Sequence, residues 1–150
     1  NELLEKTVTF LDVKLHLIIA DAEVLFYIKS PRVVMAGAHV DIENYKMFIT
    51  DFSSFVFDFA YLCRPVLYFV PDYGQFKAGM NHYRELDLPF EKAFGPLVLD
   101  PDGAVEEIKK AAENGFDPEP IYAERMRSFY YPLENCAEAL YNEVSSGDCL

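Results

Sequence analysis

One stretch decides the fold, residues 47–65, which read MFITDFSSFVFDFAYLCRP. Residues 47–50 form a short apolar run, and such a run predicts a strand that helices cover on both faces. Ser53-Ser54 offers side-chain oxygens for a helix cap, and the apolar run of residues 55–63 predicts a buried helix that Arg64-Pro65 ends. The stretch therefore predicts a strand, a turn and a helix in direct succession.

Similar units continue in both directions along the chain, where turn and breaker residues separate further apolar runs. Strands that alternate with helices predict βαβ units, so the fold class is α/β, a Rossmann-like three-layer domain with a mainly parallel sheet. We predict strands at residues 8–19 (ending at Val13-Lys14-Leu15-His16), 32–36, 66–70 and 96–99, and an apolar stretch of either type at 22–28. A turn is predicted at 71–74, followed by a long loop with room for a helical turn at 75–94. Helices are predicted at 101–114, closed by Gly115, and at 119–144, as one helix or as two broken at Pro132.

The composition favours one folded domain. The chain has 150 residues, is 51% apolar and contains 13 phenylalanines and 10 tyrosines, which suffices for one core. Its net charge of -12 excludes a broad nucleic-acid or anionic-membrane surface, because both need clustered Lys and Arg. Without a signal peptide or an apolar run of about 18 residues, we expect membrane contact to be peripheral at most. The first residue is Asn rather than Met, which suggests an excised part of a longer protein.

The three cysteines, Cys63, Cys136 and Cys149, have no metal-type spacing. Their odd number does not make a closed disulfide framework, and we expect a reducing, cytosolic compartment. Cys63 lies in an apolar segment and is interpreted as a small core residue. We expect neither a metal nor an organic cofactor.

The turn at residues 50–54 is the first candidate site. On a parallel sheet, ligands bind at the carboxyl ends of the strands, and a helix that begins there presents backbone amides and the two serine hydroxyls to a phosphate. Simple capping of the helix by Ser53 and Ser54 is the alternative. Asp51 is interpreted mainly as a turn-capping residue. Asp58 is the only charge in residues 55–63, and a buried carboxylate there predicts either a ligand site or an ion pair with Arg64 or a lysine.

A second candidate lies near the start of the chain. His16 follows Lys14 by two residues, so in a strand the two side chains share one face and pair an imidazole with a cation. The alternative is a hydrogen-bonded core histidine, and that is our interpretation of His39 and His82.

The residues around this turn match a known pattern. The pattern consists of Phe48-Ile49-Thr50-Asp51-Phe52-Ser53-Ser54, Phe57-Asp58, Arg64-Pro65, Tyr68, Asp72, Gly95-Pro96 and Val105-Glu106-Glu107-Ile108. It resembles the C-terminal signature of the CDP-glycerol glycerophosphotransferase family, whose members build wall teichoic acid and related polymers. The resemblance covers roughly residues 12–110.

The resemblance implies a GT-B-type architecture of two Rossmann-like domains, with this chain as the C-terminal, donor-binding half and the N-terminal half outside it. It assigns donor phosphate binding to Thr50, Asp51, Ser53 and Ser54, catalysis to His16 and Asp58, and support to Lys14, Arg64 and Asp72. His16 matches the histidine of a Lys/Arg-x-His-Pro motif. The chain departs from the family at Leu17, where the motif has proline, and at residues 41–46, where relatives have a fuller helix.

The function that the resemblance implies is transfer of glycerol phosphate, or a similar phosphopolyol, from a CDP-linked donor to a hydroxyl of a polymer or lipid-linked acceptor. We expect this cell-wall chemistry in the bacterial cytoplasm, at the inner face of the membrane. Two alternatives stay open: a GT-B glycosyltransferase that uses a UDP- or GDP-sugar, and a non-catalytic Rossmann-like binding domain, which the loss of the proline after His16 favours. On its own, the chain is expected to bind nucleotide weakly and to turn nothing over.

Overall fold

The computed structural model describes residues 2–18, 30–36, 40–79, 86, 88–130 and 135–146. The helices are α1 (Glu2–Phe10), α2 (Phe55–Tyr61), α3 (Tyr73–Lys77), α4 (Pro101–Glu113), α5 (Pro120–Phe129) and α6 (Cys136–Ser146), and single 3-10 turns lie at Ile42–Asn44 and Phe90–Lys92. The strands are β1 (Leu15–Leu17), β2 (Val33–Met35), β3 (Phe48–Thr50), β4 (Val66–Phe69) and β5 (Leu97–Val98).

The main sheet has three parallel strands in the order β3-β4-β5. Thr50 pairs with Tyr68, and Tyr68 pairs with Leu97, so the carboxyl ends of all three strands lie at one edge. The central strand β4 is buried on both faces, since its side chains alternate between two separate hydrophobic cores. The strands predicted at residues 47–50, 66–70 and 96–99 are confirmed within one or two residues.

Helices cover both faces of this sheet. On one face, Phe59 of α2 and Met126 of α5 pack in one core with Val66 and Tyr68. On the other face, Leu3 of α1 and the α4 residues Ala104 and Ile108 pack around Leu67. The predicted Rossmann-like three-layer fold with a mainly parallel sheet is therefore confirmed.

A second, two-stranded parallel sheet holds β1 beside β2. Its core joins Val8 of α1 to Val33 of β2. The Arg32 guanidinium donates to the carbonyl oxygen of Leu11 at 2.8 Å and also to that of Val8. These carbonyls lie at the C-terminal end of α1 and lack partners within the helix, so Arg32 fixes α1 against the start of β2.

The prediction of a strand over residues 8–19 was wrong in its first part, because Val8 belongs to α1 and only Leu15–Leu17 is extended. The β-branched run Thr7-Val8-Thr9 favours a strand locally. In the helix, however, the Thr7 and Thr9 hydroxyls donate to the carbonyls of Leu3 and Glu5, four residues earlier, and Leu3 and Val8 are buried. Tertiary packing thus outweighs local propensity.

Two further predictions about the chain's organisation were tested. The turn predicted at residues 71–74 is too long, since Tyr73 and Gly74 already lie in α3. The helix predicted at 101–114 is confirmed as α4, and Gly115, with a φ of 68°, closes it as expected. The stretch at residues 22–28 and the break at Pro132 lie outside the described residues.

Candidate functional site

The turn between β3 and α2 lies at the carboxyl edge of the main sheet. Thr50 is the last residue of β3 and is buried. The Asp51 carboxylate accepts a 2.6 Å hydrogen bond from the Phe52 amide, which agrees with its interpretation as a turn-capping residue. The Ser53 hydroxyl accepts from the Phe55 amide at 3.3 Å. Both side chains therefore hold the shape of the turn itself.

Ser54 is the first residue before α2, and its hydroxyl does not cap the helix. The Phe55, Val56 and Phe57 amides all donate within the turn, to the Ser53 hydroxyl, the Ser53 carbonyl and the Ser54 carbonyl. Of the backbone amides of residues 53–57, those of Ser53 and Ser54 have no partner among the described residues, and the exposed Ser54 hydroxyl has none there either. These three N–H and O–H groups, rather than the first turn of α2, are available to a ligand.

The prediction that Asp58 is buried was wrong: its side chain is exposed. The face of α2 that packs on the sheet consists of Val56, Phe59 and Ala60, at helical spacing, so Asp58 lies on the outer face with Tyr61. Asp58 forms no ion pair with Arg64 or with any other cation in the described ranges.

Asp58 nevertheless has one electrostatic effect within the fold. The Tyr130 hydroxyl donates to the Phe57 carbonyl, and the pKa of Tyr130 is raised, first by burial and then by the negative charge of Asp58. The carboxylate of Asp58 therefore lies on the surface beside the α2–α5 contact, within about one turn of Ser54.

His16 is exposed in the centre of β1, and exposure alternates along residues 11–18. Lys14 and His16 therefore share one face, as predicted. The imidazole has a partner that the sequence analysis did not identify: its Nδ1 lies 3.0 Å from the Tyr45 hydroxyl, and the two rings meet edge to face with centroids 5.2 Å apart. No sequence pattern signals this pair, because the residues are 29 positions apart.

The remaining candidates lie at opposite edges of the sheet. Asp72 follows β4 and precedes α3, so it shares the carboxyl edge with Asp51. Arg64 comes two residues before β4 and lies at the amino edge, beyond the end of α2, a helix about 10 Å long that begins next to Ser54. The structure thus brings Thr50, Asp51, Ser53, Ser54 and Asp72 to one edge and leaves Arg64 at the other.

An aromatic cluster supports the turn from below. Phe52 stacks on Phe76 with centroids 4.6 Å apart, and both Phe52 and Tyr73 contact Phe90. The Lys77 ammonium lies 4.9 Å from the centre of the Tyr73 ring, which places a cation near this edge of the sheet. The cluster fixes the turn between β3 and α2 against the loop after β4.

A cleft of about 170 Å³ lies at the other end of the sheet. Met47, Pro65 and Pro96, which precede the three strands, line its floor, and Lys110 and Tyr122 line its wall. It therefore lies at the amino edge, away from the turn at residues 50–54.

Comparison with known proteins decides the family. The model of the CDP-Glycerol:Poly(glycerophosphate) glycerophosphotransferase family matches residues 2–146. The chain belongs to this family. The resemblance inferred from the sequence signature is confirmed. In this glycerophosphotransferase-family chain, the turn at residues 50–54 is part of that signature.

Curated relatives of this family chain are teichoic acid enzymes. It is 45% identical over 79 residues to the teichoic acid poly(glycerol phosphate) polymerase of Bacillus subtilis (strain 168), a match that covers 49% of this chain and 10% of the relative. It is 39% identical over 83 residues to the polymerase of the same name from Bacillus spizizenii, covering 55% of this chain and 19% of the relative. It is 30% identical over 98 residues to the minor teichoic acid biosynthesis protein GgaB of B. subtilis, covering 64% and 10%.

The chain thus spans less than a fifth of the length of these relatives. No solved structure matches the family chain. In the ranges that the structure describes, no helix is long and apolar enough to cross a membrane.

Proposed function

We propose that this chain is the donor-binding, C-terminal half of a GT-B-type enzyme that transfers glycerol phosphate, or a similar phosphopolyol, from a CDP-linked donor to an acceptor hydroxyl during cell-wall polymer synthesis. One observation carries the proposal: the family signature forms a turn at the carboxyl edge of a parallel sheet, where the Ser53 amide, the Ser54 amide and the Ser54 hydroxyl have no partner among the described residues.

These three groups would bind the donor diphosphate. A chain with a net charge of -12 repels anions at long range, so phosphate must be held by short, directed hydrogen bonds. Asp51 keeps its negative charge, but the hydrogen bond from the Phe52 amide holds its carboxylate within the turn. Thr50, the buried last residue of β3, would fix the position of the turn relative to the sheet.

The reaction is a phosphoryl transfer. The acceptor hydroxyl oxygen forms a bond to the phosphorus that carries glycerol, the bond from that phosphorus to the bridging oxygen breaks, and CMP leaves. The hydroxyl proton passes to a base, and the negative charge on the leaving phosphate is stabilised by the donors of the turn. We assign the base to His16 or to the N-terminal half of the whole enzyme.

The outer residues have secondary roles in this proposal. Asp58 would orient the acceptor or a group of the N-terminal half, because it is exposed within one turn of Ser54. Lys14 shares the face of His16 and would add a cation to the donor site, and Asp72 would close the edge opposite Asp51. Arg64, at the amino edge, would support α2 rather than touch the donor.

Calorimetric titration of the chain with CMP, CDP-glycerol, UDP-glucose and GDP-mannose tests the donor assignment. We expect weak binding that is selective for cytidine and is lost in Ser54→Ala. Ser146→Ala is the matched control, since the Ser146 hydroxyl donates to Glu143 on the remote helix α6. Equal or tighter binding of uridine or guanosine nucleotides would instead indicate a GT-B glycosyltransferase.

The whole enzyme tests catalysis. If Ser54→Ala and His16→Ala leave both transfer activity and donor binding unchanged, the chain is a binding domain without a catalytic role, the alternative that Leu17 in place of proline favours. A radiolabelled glycerol transfer assay to a membrane acceptor gives this answer, and it also tests whether the acceptor is polymer or lipid-linked at the inner face of the membrane.

A further inference from the structure

The cleft at the amino edge of the main sheet has an apolar floor. Val66 and Phe94, which form part of this floor, expose only 2% and 1% of their surface, and Met47, Pro65 and Pro96 complete it. Because Pro65 and Pro96 have no amide hydrogen, neither offers a backbone donor to an anion. The floor therefore favours contact with a hydrocarbon group.

The wall and rim of the cleft carry more negative than positive charge. Three carboxylates and one ammonium line them: Glu107, Asp117, Glu119 and Lys110. Lys110 forms an ion pair with Glu107. Asp117 and Glu119 are exposed, and neither forms an ion pair with a cation in the ranges that the structure describes. The lining thus presents two carboxylates that lack a counter-ion.

The phenol of Tyr122, on the wall, indicates the sign of the electrostatic potential in the cleft. The pKa of Tyr122 is raised, first by burial and then by the negative charge of Glu119, whereas Arg125 lowers it by a smaller amount. Glu107 and Lys110 contribute the next opposed pair, and the carboxylate is again the stronger of the two. Negative charge therefore outweighs positive charge at the phenol.

Two of the cations near this edge have partners outside the cleft. The Arg125 guanidinium donates to the Ala93 carbonyl at 2.9 Å and lies 5.5 Å from the centre of the Tyr122 ring. The Lys46 ammonium lies 5.5 Å from the centre of the Phe116 ring. Neither side chain lines the cleft, so neither neutralises its rim by direct contact.

The size of the cleft limits its ligand. Its volume of about 170 Å³ is similar to that of a cavity of about 150 Å³ that holds benzene in another protein. Sites for drug-sized ligands are larger, at about 300–1,000 Å³. The cleft therefore takes a small molecule or a single side chain, and it is too small for a CDP-linked donor.

We propose that this cleft binds a small organic cation, an ammonium or guanidinium group on a short apolar stem, which is either a free amine or a lysine or arginine side chain of another segment of the whole enzyme. The stem packs on the apolar floor, and the charged head lies beside the carboxylates of Asp117 and Glu119. The cleft is at the opposite edge of the sheet from the turn at residues 50–54. A chain that binds no nucleotide would therefore still bind the cation.

Four small probes test the chemistry of the cleft: n-butylammonium, n-butylguanidinium, n-butanol and butyrate. Correlation spectra (¹H–¹⁵N) of the ¹⁵N-labelled chain follow the amides of Lys110, Asn114 and Tyr122, which line the cleft. We expect both cations to shift these amides saturably with a Kd of about 1–10 mM, and to bind about threefold to tenfold more tightly than the other two probes. Equal binding of butanol, tighter binding of butyrate, or no saturable shift with either cation overturns the proposal.

Three variants locate the bound cation. Glu119→Gln removes a rim carboxylate that caps no helix amide, so we expect the Kd for butylammonium to rise about twofold to fivefold. Glu124→Gln is the matched control, because it removes the same charge from an exposed position of α5 outside the cleft. Ala111→Leu fills the cleft and should abolish binding in a chain whose spectrum remains that of a folded protein. Equal weakening in the two glutamine variants, or binding that persists in Ala111→Leu, contradicts the assignment.

The whole enzyme distinguishes the two sources of the cation. The ¹³C-labelled methyl group of Met47, assigned by its loss in Met47→Leu, reports on the floor of the cleft. For a free ligand, butylammonium shifts this signal in the chain and in the whole enzyme alike. For a side chain of the enzyme, the signal of the whole enzyme already lies near its bound position and does not respond. A signal at the unbound position that does not respond in the whole enzyme would rule out both sources.

Discussion

Gly95 lies directly against the carbonyl oxygen of Val66, so that a Cβ at position 95 would be 1.8 Å from that oxygen. Backbone atoms of the central strand cannot move aside without breaking the pairing of β4 with its neighbours. The glycine of the Gly95-Pro96 pair is therefore required by the packing of two backbone segments.

We expect Gly95→Ala to destabilise the chain by about 3 kcal/mol or to prevent folding, as overpacking against rigid atoms does. Urea unfolding monitored by circular dichroism measures the change. Gly74→Ala is the control: no atom lies within 4 Å of its Cβ position, and in α3 alanine should add about 0.5–1 kcal/mol. Equal stability of the two variants would contradict the close approach.

Cys63 has a positive φ of 51° at the C-terminal end of α2. The Cys63 amide donates to Ala60 and the Arg64 amide to Phe59, which is the pattern that usually places glycine at this position. We expect Cys63→Val to destabilise by about 1–2 kcal/mol although valine is more apolar, because a β-branched side chain is strained at this φ. Cys63→Gly should be nearly neutral, since relief of strain offsets the lost packing. Thermal denaturation of both variants provides the comparison.

Arg32 donates to two carbonyls at the end of α1. We expect Arg32→Ala to lower the free energy of unfolding by about 1.5–3 kcal/mol, the range for hydrogen bonds to a charged group. Arg127→Ala should have little effect, because Arg127 is exposed and donates within its own helix. Chemical denaturation of the two variants measures their free energies of unfolding. Similar losses of stability in both would argue against a capping role for Arg32.

The Tyr68 hydroxyl is buried with no hydrogen-bond partner among the described residues. Burial raises the pKa of Tyr68 to about 12. Because the folded pKa lies above the unfolded value of about 10, the contribution of Tyr68 to stability is complete below pH 10 and is lost as the pH rises towards 12.

We therefore expect Tyr68→Phe to raise the free energy of unfolding by about 1 kcal/mol at pH 8, because it removes an unpaired buried hydroxyl. The free energy of unfolding should also fall less steeply with pH between pH 10 and 12 in this variant. Denaturant titrations at several pH values, with Tyr141→Phe as the exposed control, measure both effects. Loss of stability in Tyr68→Phe at pH 8 would mean that the hydroxyl has a partner in solution.

The local sequence was sufficient to predict strands that are covered on both faces and helices whose ends are marked by nearby capping or breaking residues. The short runs that became β3 and β4 are covered on both faces, so they carry no charged residue, and the caps and breakers around α2 and α4 lie within a few residues of their helices. Residues 8–10 were assigned to a strand because β-branched residues favour strands locally. Packing of α1 against β2 and the main sheet holds them in a helix instead.

One part of the candidate site could likewise be predicted from local sequence, and another part could not. The turn at residues 50–54 was predictable because its residues are contiguous and its role follows from strand order. The exposure of Asp58 depends on which face of α2 meets the sheet, and the partner of His16 comes from a loop 29 residues later. Both depend on tertiary contacts that no local pattern encodes.

Helix α1 contributes Leu3 to the core of the main sheet and Val8 to the core of the small one, and Lys6 forms a 2.6 Å ion pair with Asp102 of α4. A helix shared by two cores couples their unfolding, because neither can open while α1 stays in place. The amides of β1 should therefore exchange with solvent as slowly as those of β5, and the chain should unfold as one cooperative unit despite its two sheets.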